Sequence, residues 1–144
     1  MSFDLQIKEG DIQLGADNDL AIVEDGVKLL QDILKILLTP IGGNIFFPWY
    51  GSPLTAALVG TAFDTQLIGS VASTQIQNSL EALQNLQEEQ IRDGRQVLTP
   101  AELIAAVASV NITQNPVDPR FFSIVARVIS KAFRPVDATL NVTL

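Results

Sequence analysis

Apolar and polar positions alternate from the start of the chain: Phe3, Leu5 and Ile7, then Ile12 and Leu14, then Leu20 and Ile22. Gly10-Asp11 and Asp17-Asn18 interrupt this period of two, which predicts short N-terminal strands joined by tight turns. From Asp25, a residue suited to an N-cap, the period lengthens. Val27, Leu30, Ile33, Leu34, Leu37 and Leu38 fall on one helical face, with Lys28, Gln31, Asp32 and Lys35 opposite. Thr39-Pro40 and Gly42-Gly43 end that helix. Pro53 opens a short helix through Leu58. A long helix is expected from Asp64 to about Asp93, with Leu67, Val71, Ile76, Leu80, Leu83 and Leu86 as its apolar stripe. Its far end, with Glu81, Glu88 and Glu89, is expected to project from the body or to meet a partner.

Thr99-Pro100-Ala101-Glu102 has the form of a capping box and predicts a short helix. From Ala106 the period returns to two, with Ala106, Ala108, Val110 and Ile112 on one face and Ser109, Asn111 and Thr113 on the other. A second strand covers about Phe121 to Ser130. A third reads DATLNVTL, with Ala138, Leu140, Val142 and Leu144 on one side and Thr139, Asn141 and Thr143 on the other. This is a half-buried meander. Helices packed on one face of it make a single α+β domain over residues 1–144.

The composition narrows the chemistry. At 144 residues, 47% hydrophobic and 17% charged, the chain can bury a core. It has no Cys and no His, which removes disulfides, thiol nucleophiles, Ser-His-Asp relays and zinc sites built on those residues. Asp17-Asn18-Asp19 lacks the Gly and the distal Glu of a calcium loop and is expected to be a hairpin turn. No cofactor is implied, since Gly42-Gly43 follows a helix and does not join a strand to one as a phosphate cradle does. The net charge of −7 argues against nucleic acid as a partner. No apolar run reaches the roughly 20 residues of a membrane span, and the acidic start lacks the features of a signal peptide. A protein made in a cytoplasm, or assembled from there, is expected.

The charge is uneven. Residues 1–119 carry a net −10, whereas residues 120–144 hold Arg120, Arg127, Lys131 and Arg134 against Asp137. Subunits meeting head to tail would use that asymmetry; charges solvated on a strand pair would also produce it. Sixteen acids make a catalytic carboxylate pair numerically easy, so a hydrolase acting on sugar polymers stays open as an alternative. None of them lies in an apolar run that would raise its pKa.

Residues 42–53, GGNIFFPWYGSP, place the only Trp and the only Tyr side by side among Gly and Pro. Pro and Gly are expected to fix the path of an ordered loop, with Ile45, Phe46 and Phe47 anchored on the core. In an extended segment Trp49 and Tyr50 point to opposite sides, one inward and one available to a partner.

The longer stretch LLTPIGGNIFFPWYGSPL, residues 37–54, resembles the phage baseplate wedge and tail-sheath initiator family. Type VI secretion systems share that family through a baseplate subunit. The resemblance rests on a helix ending Leu-x-Thr, Gly42, Phe46, Pro48, an aromatic at Tyr50, Gly51 and Leu54. Pro40-Ile41 stands where the family has a basic pair, and Phe47 where an Asp is common. The family's Glu-Pro-Arg motif has no counterpart in place. Thr99-Pro100-Ala101 matches its position, while Asp118-Pro119-Arg120 resembles it one element later. Some members carry lysozyme-like labels, but the family's recurring role is assembly. The resemblance implies a non-enzymatic virion subunit present in multiple copies around the baseplate, bound to wedge proteins, with the tail tube or hub also nearby. It implies wedge contacts through Phe46, Pro48, Trp49, Tyr50, Gly51 and Pro100. It implies a C-terminal strand that the tail sheath protein extends, through Asp137, Thr139, Leu140, Asn141, Val142 and Thr143. Arg120 and Arg127 are further candidate contacts. If DATLNVTL lies at a sheet edge, it offers unpaired main-chain groups to an incoming strand, which suits this role; a central or protected last strand is the alternative.

Overall fold

A computed structural model describes residues 2–58 and 65–143. The predicted helix start at Asp64 and the inward side chain of Leu144 lie outside those residues. Four two-residue strands come first: β1 (Asp4–Leu5), β2 (Ile7–Lys8), β3 (Asp11–Ile12) and β4 (Ile22–Val23). Helices α1 (Asp25–Leu38), α2 (Leu54–Leu58) and α3 (Thr65–Arg92) follow, then strands β5 (Ile104–Gln114), β6 (Phe121–Ser130) and β7 (Pro135–Thr143). This is the α+β arrangement expected from the sequence.

The C-terminal strands form an antiparallel sheet of order β5-β6-β7, with the helices on one face. Its inner face carries Phe122, Ile124, Ala126 and Val128 of β6 with Ala138 and Leu140 of β7. Leu29, Ile33, Ile36 and Leu37 of α1 and Leu54 and Leu58 of α2 meet them. The buried stripe of α3 is Ile68, Ala72, Ile76, Leu80 and Leu83, steps of four and three residues that hold one helical face. Leu67 sits one position off that line and is exposed, contrary to the predicted stripe; Val71 packs at its margin.

Two sequence expectations shift in the last third. The capping box is only half made, since the Thr99 amide donates to Glu102 Oε2 at 3.0 Å while the Thr99 hydroxyl donates to Asp25 at 2.7 Å. No helix forms. Gln87 of α3 instead clips the chain into a strand, donating to the Glu102 carbonyl at 2.8 Å and accepting from the Ile104 amide at 3.1 Å. In β5, register shifts between Ile104 and Ala106 and between Val107 and Ser109 each change which side chains face inward. Ile104, Val107, Val110 and Ile112 therefore meet the core, and Ala106 and Ala108 are exposed.

The N-terminal strands close into a triangle. The Ala21 amide donates to the Gln13 carbonyl (2.9 Å), Gln13 to Gln6 (3.0 Å) and Gln6 to Ala21 (2.8 Å). Three short antiparallel arms radiate from this ring, pairing Leu5 with Ile22, Ile7 with Ile12 and Leu14 with Leu20. Asp17-Asn18-Asp19 turns the third arm, where the Gly15 amide donates to the Asp19 carbonyl at 2.7 Å. The triangle lies over the polar face of α1, so Lys28 and Gln31 are buried instead of solvated, while Val27 and Leu38 are exposed. Glu24, not Asp25, occupies the N-cap, with no side-chain cap bond, and Asp25 has φ +51°.

Candidate partner-binding surfaces

The loop between α1 and α2 is fixed by its own backbone. The Ser52 amide donates to the Thr39 carbonyl at 2.8 Å, Gly42 to Pro48 at 3.0 Å and Gly43 to Pro40 at 2.9 Å. Asn44 Oδ1 accepts from the Phe46 and Phe47 amides at 3.0 and 3.1 Å. Gly51 has φ +133°, and a Cβ there would stand 2.5 Å from the Thr39 carbonyl, so only glycine fits. The buried Ser79 hydroxyl of α3 donates to Ser52 Oγ at 2.9 Å, fastening the loop's end to the body.

The expected anchoring of Ile45, Phe46 and Phe47 is reversed. Ile45 is 90% exposed, Phe46 86% and Phe47 54%. Asn44 and the glycines hold the loop without them, so its apolar side chains are free to stand outward. Trp49 and Tyr50 divide as the alternation predicts: Trp49 is exposed, and Tyr50 is half-buried against the core. Phe47, Trp49 and Tyr50 form an edge-to-face run with centroids 5.9 and 6.3 Å apart. Pro48 is exposed and Gly51 buried. A cleft of about 460 Å³ separates Phe47, Trp49 and Tyr50 from Leu86, Glu89 and Gln90 near the end of α3.

Beneath Tyr50 lies a charged cluster. Lys35 pairs with Asp4 and, at 3.2 Å, with Asp32, and Lys28 donates to Asp32 at 2.7 Å. Burial pushes the Asp4 carboxyl up, but the Lys35 hydrogen bond and charge, with Gln31 and the Leu5 amide, outweigh it and hold the group below 3.8. Burial pulls the Lys35 ammonium down, yet Asp4 and Asp32 raise it above 10.5. Burial chiefly raises the Tyr50 phenol. Sequence patterning placed Lys28 and Gln31 in solvent; the Lys28–Asp32 and Lys35–Asp32 pairs lie within α1, and the N-terminal segment adds Asp4 to them.

The C-terminal strand lies at a sheet edge. Among the described residues β7 pairs with β6 alone. The Ser130 amide donates to the Arg134 carbonyl at 2.9 Å, and counting by twos from that bond turns the main-chain groups of Val136, Ala138, Leu140 and Val142 toward β6. Those of Asp137, Thr139, Asn141 and Thr143 point to the open edge. The same four side chains are exposed, whereas Leu140 is buried and Val142 half-buried. Pro135, which has no amide hydrogen, falls at an outward position.

Both candidate arginines are engaged. Arg127 forks onto Asp137 across the β6–β7 pair at 2.7 and 2.8 Å, and Arg120 onto Asp118 at 3.1 and 2.9 Å. Asp118 and Asp137 are held below the ordinary carboxylate value chiefly by these hydrogen bonds. Asp118-Pro119-Arg120 is thus part of the β5–β6 turn, where Gln114 Nε2 donates to the Pro119 carbonyl at 2.9 Å and the Asp118 amide donates to Asn115 Oδ1 at 3.2 Å. Pro100 is exposed, and its carbonyl accepts from the Ala132 amide at 3.1 Å. The Thr99–Pro100 segment is therefore tied to the turn that feeds β7, apart from the aromatic loop.

Among the described residues no cluster of His, Cys, Asp and Glu could hold a metal ion, and no helix is long and apolar enough to cross a membrane. The sequence matches no family model and no curated protein. A solved structure does share the fold: a Geobacter sulfurreducens protein provisionally named a tail lysozyme, with a TM-score of 0.61 over 86% of this chain and 96% of that one. The two sequences are 15% identical, so the likeness concerns the fold.

Proposed function

We propose that this chain is a structural subunit of a phage tail or related contractile injection machine, carried in the virion near the baseplate. It binds wedge proteins through the aromatic loop and starts the sheath by adding an incoming strand to β7. The observation that carries the reading is the open edge of β7, where Asp137, Thr139, Asn141 and Thr143 present main-chain groups in alternation that no strand pairs among the described residues. The exposed Phe46 and Trp49 on a rigid loop suit a second partner, because aromatic side chains bury much area with few rotatable bonds. The tail association of the Geobacter protein, by its name, and the Leu37–Leu54 resemblance support the same setting. Multiple copies around a baseplate, with the tail tube or hub as a further neighbour, complete the proposal.

That name also raises a second reading, a carboxylate-dependent cell-wall hydrolase. The cavity of about 290 Å³ lined by Asp4, Asp32 and Tyr50 is where such chemistry would sit. Lys35 binds both acids there, and Asp4 is held ionised, the opposite of what a general acid needs. Two assays separate the readings. A subunit with the proposed role clears no peptidoglycan suspension and co-purifies with wedge proteins when the tail proteins are expressed together. Clearing that Asp4→Asn or Asp32→Asn abolishes would instead establish the hydrolase.

A further inference from the structure

The cleft between the aromatic loop and the end of α3 has the make-up of a cation site. Neighbouring rings of the loop stand nearly perpendicular, with interplanar angles of 70° for Phe47–Trp49 and 76° for Trp49–Tyr50. Rings set this way wall a space on more than one side, and the face of an aromatic ring attracts organic cations. Across the cleft of about 460 Å³ stand Glu89 and Gln90 of the last turn of α3, with Asp93 just beyond it. The carbonyl end of that 28-residue helix adds negative potential on the same side.

The charges of the cleft do not cancel. Arg95 pairs with Asp93 at 3.6 Å, whereas among the described residues no Lys or Arg pairs with Glu89. Lys35 lines the neighbouring cavity under Tyr50 and is matched there by Asp4 and Asp32. One carboxylate beside aromatic faces is thus left without a counter-ion. An arginine side chain satisfies both halves of the site. Its flat, weakly hydrated guanidinium stacks on a ring while its fork of donors meets the carboxylate. Gln90 and Gln96 bring side-chain carbonyls to the walls for the remaining donors. An acidic side chain would meet Glu89 with like charge, and an apolar one would leave that carboxylate unpaired against it. We propose that the cleft seats an arginine side chain of the loop's partner, between the Phe47–Trp49–Tyr50 rings and Glu89. That the donor is a wedge protein rests on the assignment of the loop as a wedge contact; the chemistry of the cleft does not.

Trp49 is the only Trp of the chain, so tryptophan emission reports on this cleft directly. The test titrates the full chain at low salt with a capped Gly-Arg-Gly peptide, and with its citrulline counterpart, which keeps the shape and lacks the charge. A saturable change in emission is expected with the arginine peptide, at affinity at least about tenfold above that of the citrulline one. Glu89→Gln alters an exposed side chain and is expected to weaken arginine binding about threefold, with a flatter salt dependence. Phe47→Leu removes one ring and is expected to weaken it by a similar factor. Glu88→Gln, whose carboxylate lies 4.0 Å from Lys131, is expected to bind as the native chain does. No saturable change, an equal response to both peptides, or full affinity in folded Glu89→Gln and Phe47→Leu overturns the site. Co-purification with wedge proteins tests the partner separately, using Glu89→Lys to repel an incoming arginine. Binding lost in Phe46→Ser/Trp49→Ser but kept in Glu89→Lys overturns the arginine anchor and leaves the loop's assignment standing. Binding kept in both removes that assignment, and the peptide titration still decides the site.

Discussion

Gln31 does for Ile7 what a neighbouring strand would do: its Oε1 accepts from the Ile7 amide at 2.9 Å. Its Nε2 donates to the Leu5 carbonyl at 2.8 Å and to Asp4 at 3.1 Å, so one buried amide from α1 pairs with three groups of the N-terminal segment. Gln31→Leu leaves an amide and a carbonyl without partners against a buried helix face. A loss of about 1–3 kcal/mol is expected, read as a lower urea midpoint with proteolysis starting within residues 5–24. A loss below about 0.5 kcal/mol, the usual range of neutral surface changes, would show that the triangle holds itself.

That relationship marks the limit of what patterning reveals. Period and breakers place α1, α3 and the three long strands, because each has a one-sided apolar pattern over ten or so residues. They assign the wrong sides where a polar side chain is claimed by distant backbone. Gln31 reads as a solvated helix position, yet it caps an incoming strand from more than a dozen residues away in sequence, as Gln87 does at β5. The bulges of β5 fail for another reason: one inserted residue inverts the face, and alternation of Ala and Ser carries no signal of it. At the candidate surfaces, the outward and inward halves of β7 and the split of Trp49 from Tyr50 were legible. The exposure of Phe46 and Phe47 was not, because the bonds that free them come from Asn44 and glycine backbone.

The Asp4–Lys35 pair makes a pH signature. Asp4 has a depressed pKa, so its contribution is full above the unfolded carboxyl's value and is lost as pH falls through the folded one. Lys35 has a raised pKa, so its contribution is full below the unfolded ammonium's value and is lost as pH rises through the folded one. Both are in place between about pH 4 and 10. Asp4→Asn is expected to be less stable than the native chain at pH 7, with the difference closing below about pH 4. Urea midpoints across pH 3–8 measure this, and a difference constant over that range would contradict it.

In the aromatic loop, path and surface are separable. Gly51→Ala forces a Cβ onto the Thr39 carbonyl at φ +133°, and about 1–3 kcal/mol of stability is expected to go. Phe46→Ser and Trp49→Ser remove exposed side chains and are expected to change stability by less than about 0.5 kcal/mol while abolishing binding to wedge proteins. Thermal melts and co-purification read the two effects. Retained wedge binding in the double variant would assign that contact elsewhere.

Arg127 and Asp137 face each other on the solvent side of β6–β7, and exposed pairs of this kind add little to folding. Arg127→Met is expected to leave the melting temperature nearly unmoved. A marked fall would mean that this pair helps hold β7 in place.

The most direct measurement is sheath growth on assembled baseplates carrying Thr139→Pro/Asn141→Pro. Both residues turn their amides to the open edge, so proline there removes donors offered outward and leaves the β6–β7 ladder and the buried Ala138 and Leu140 intact. Removing the whole strand would strip those core residues and could not separate folding from docking. The expected result is a folded subunit that joins baseplates on which no sheath grows. Normal sheath growth from folded, incorporated double variant would contradict strand addition at β7.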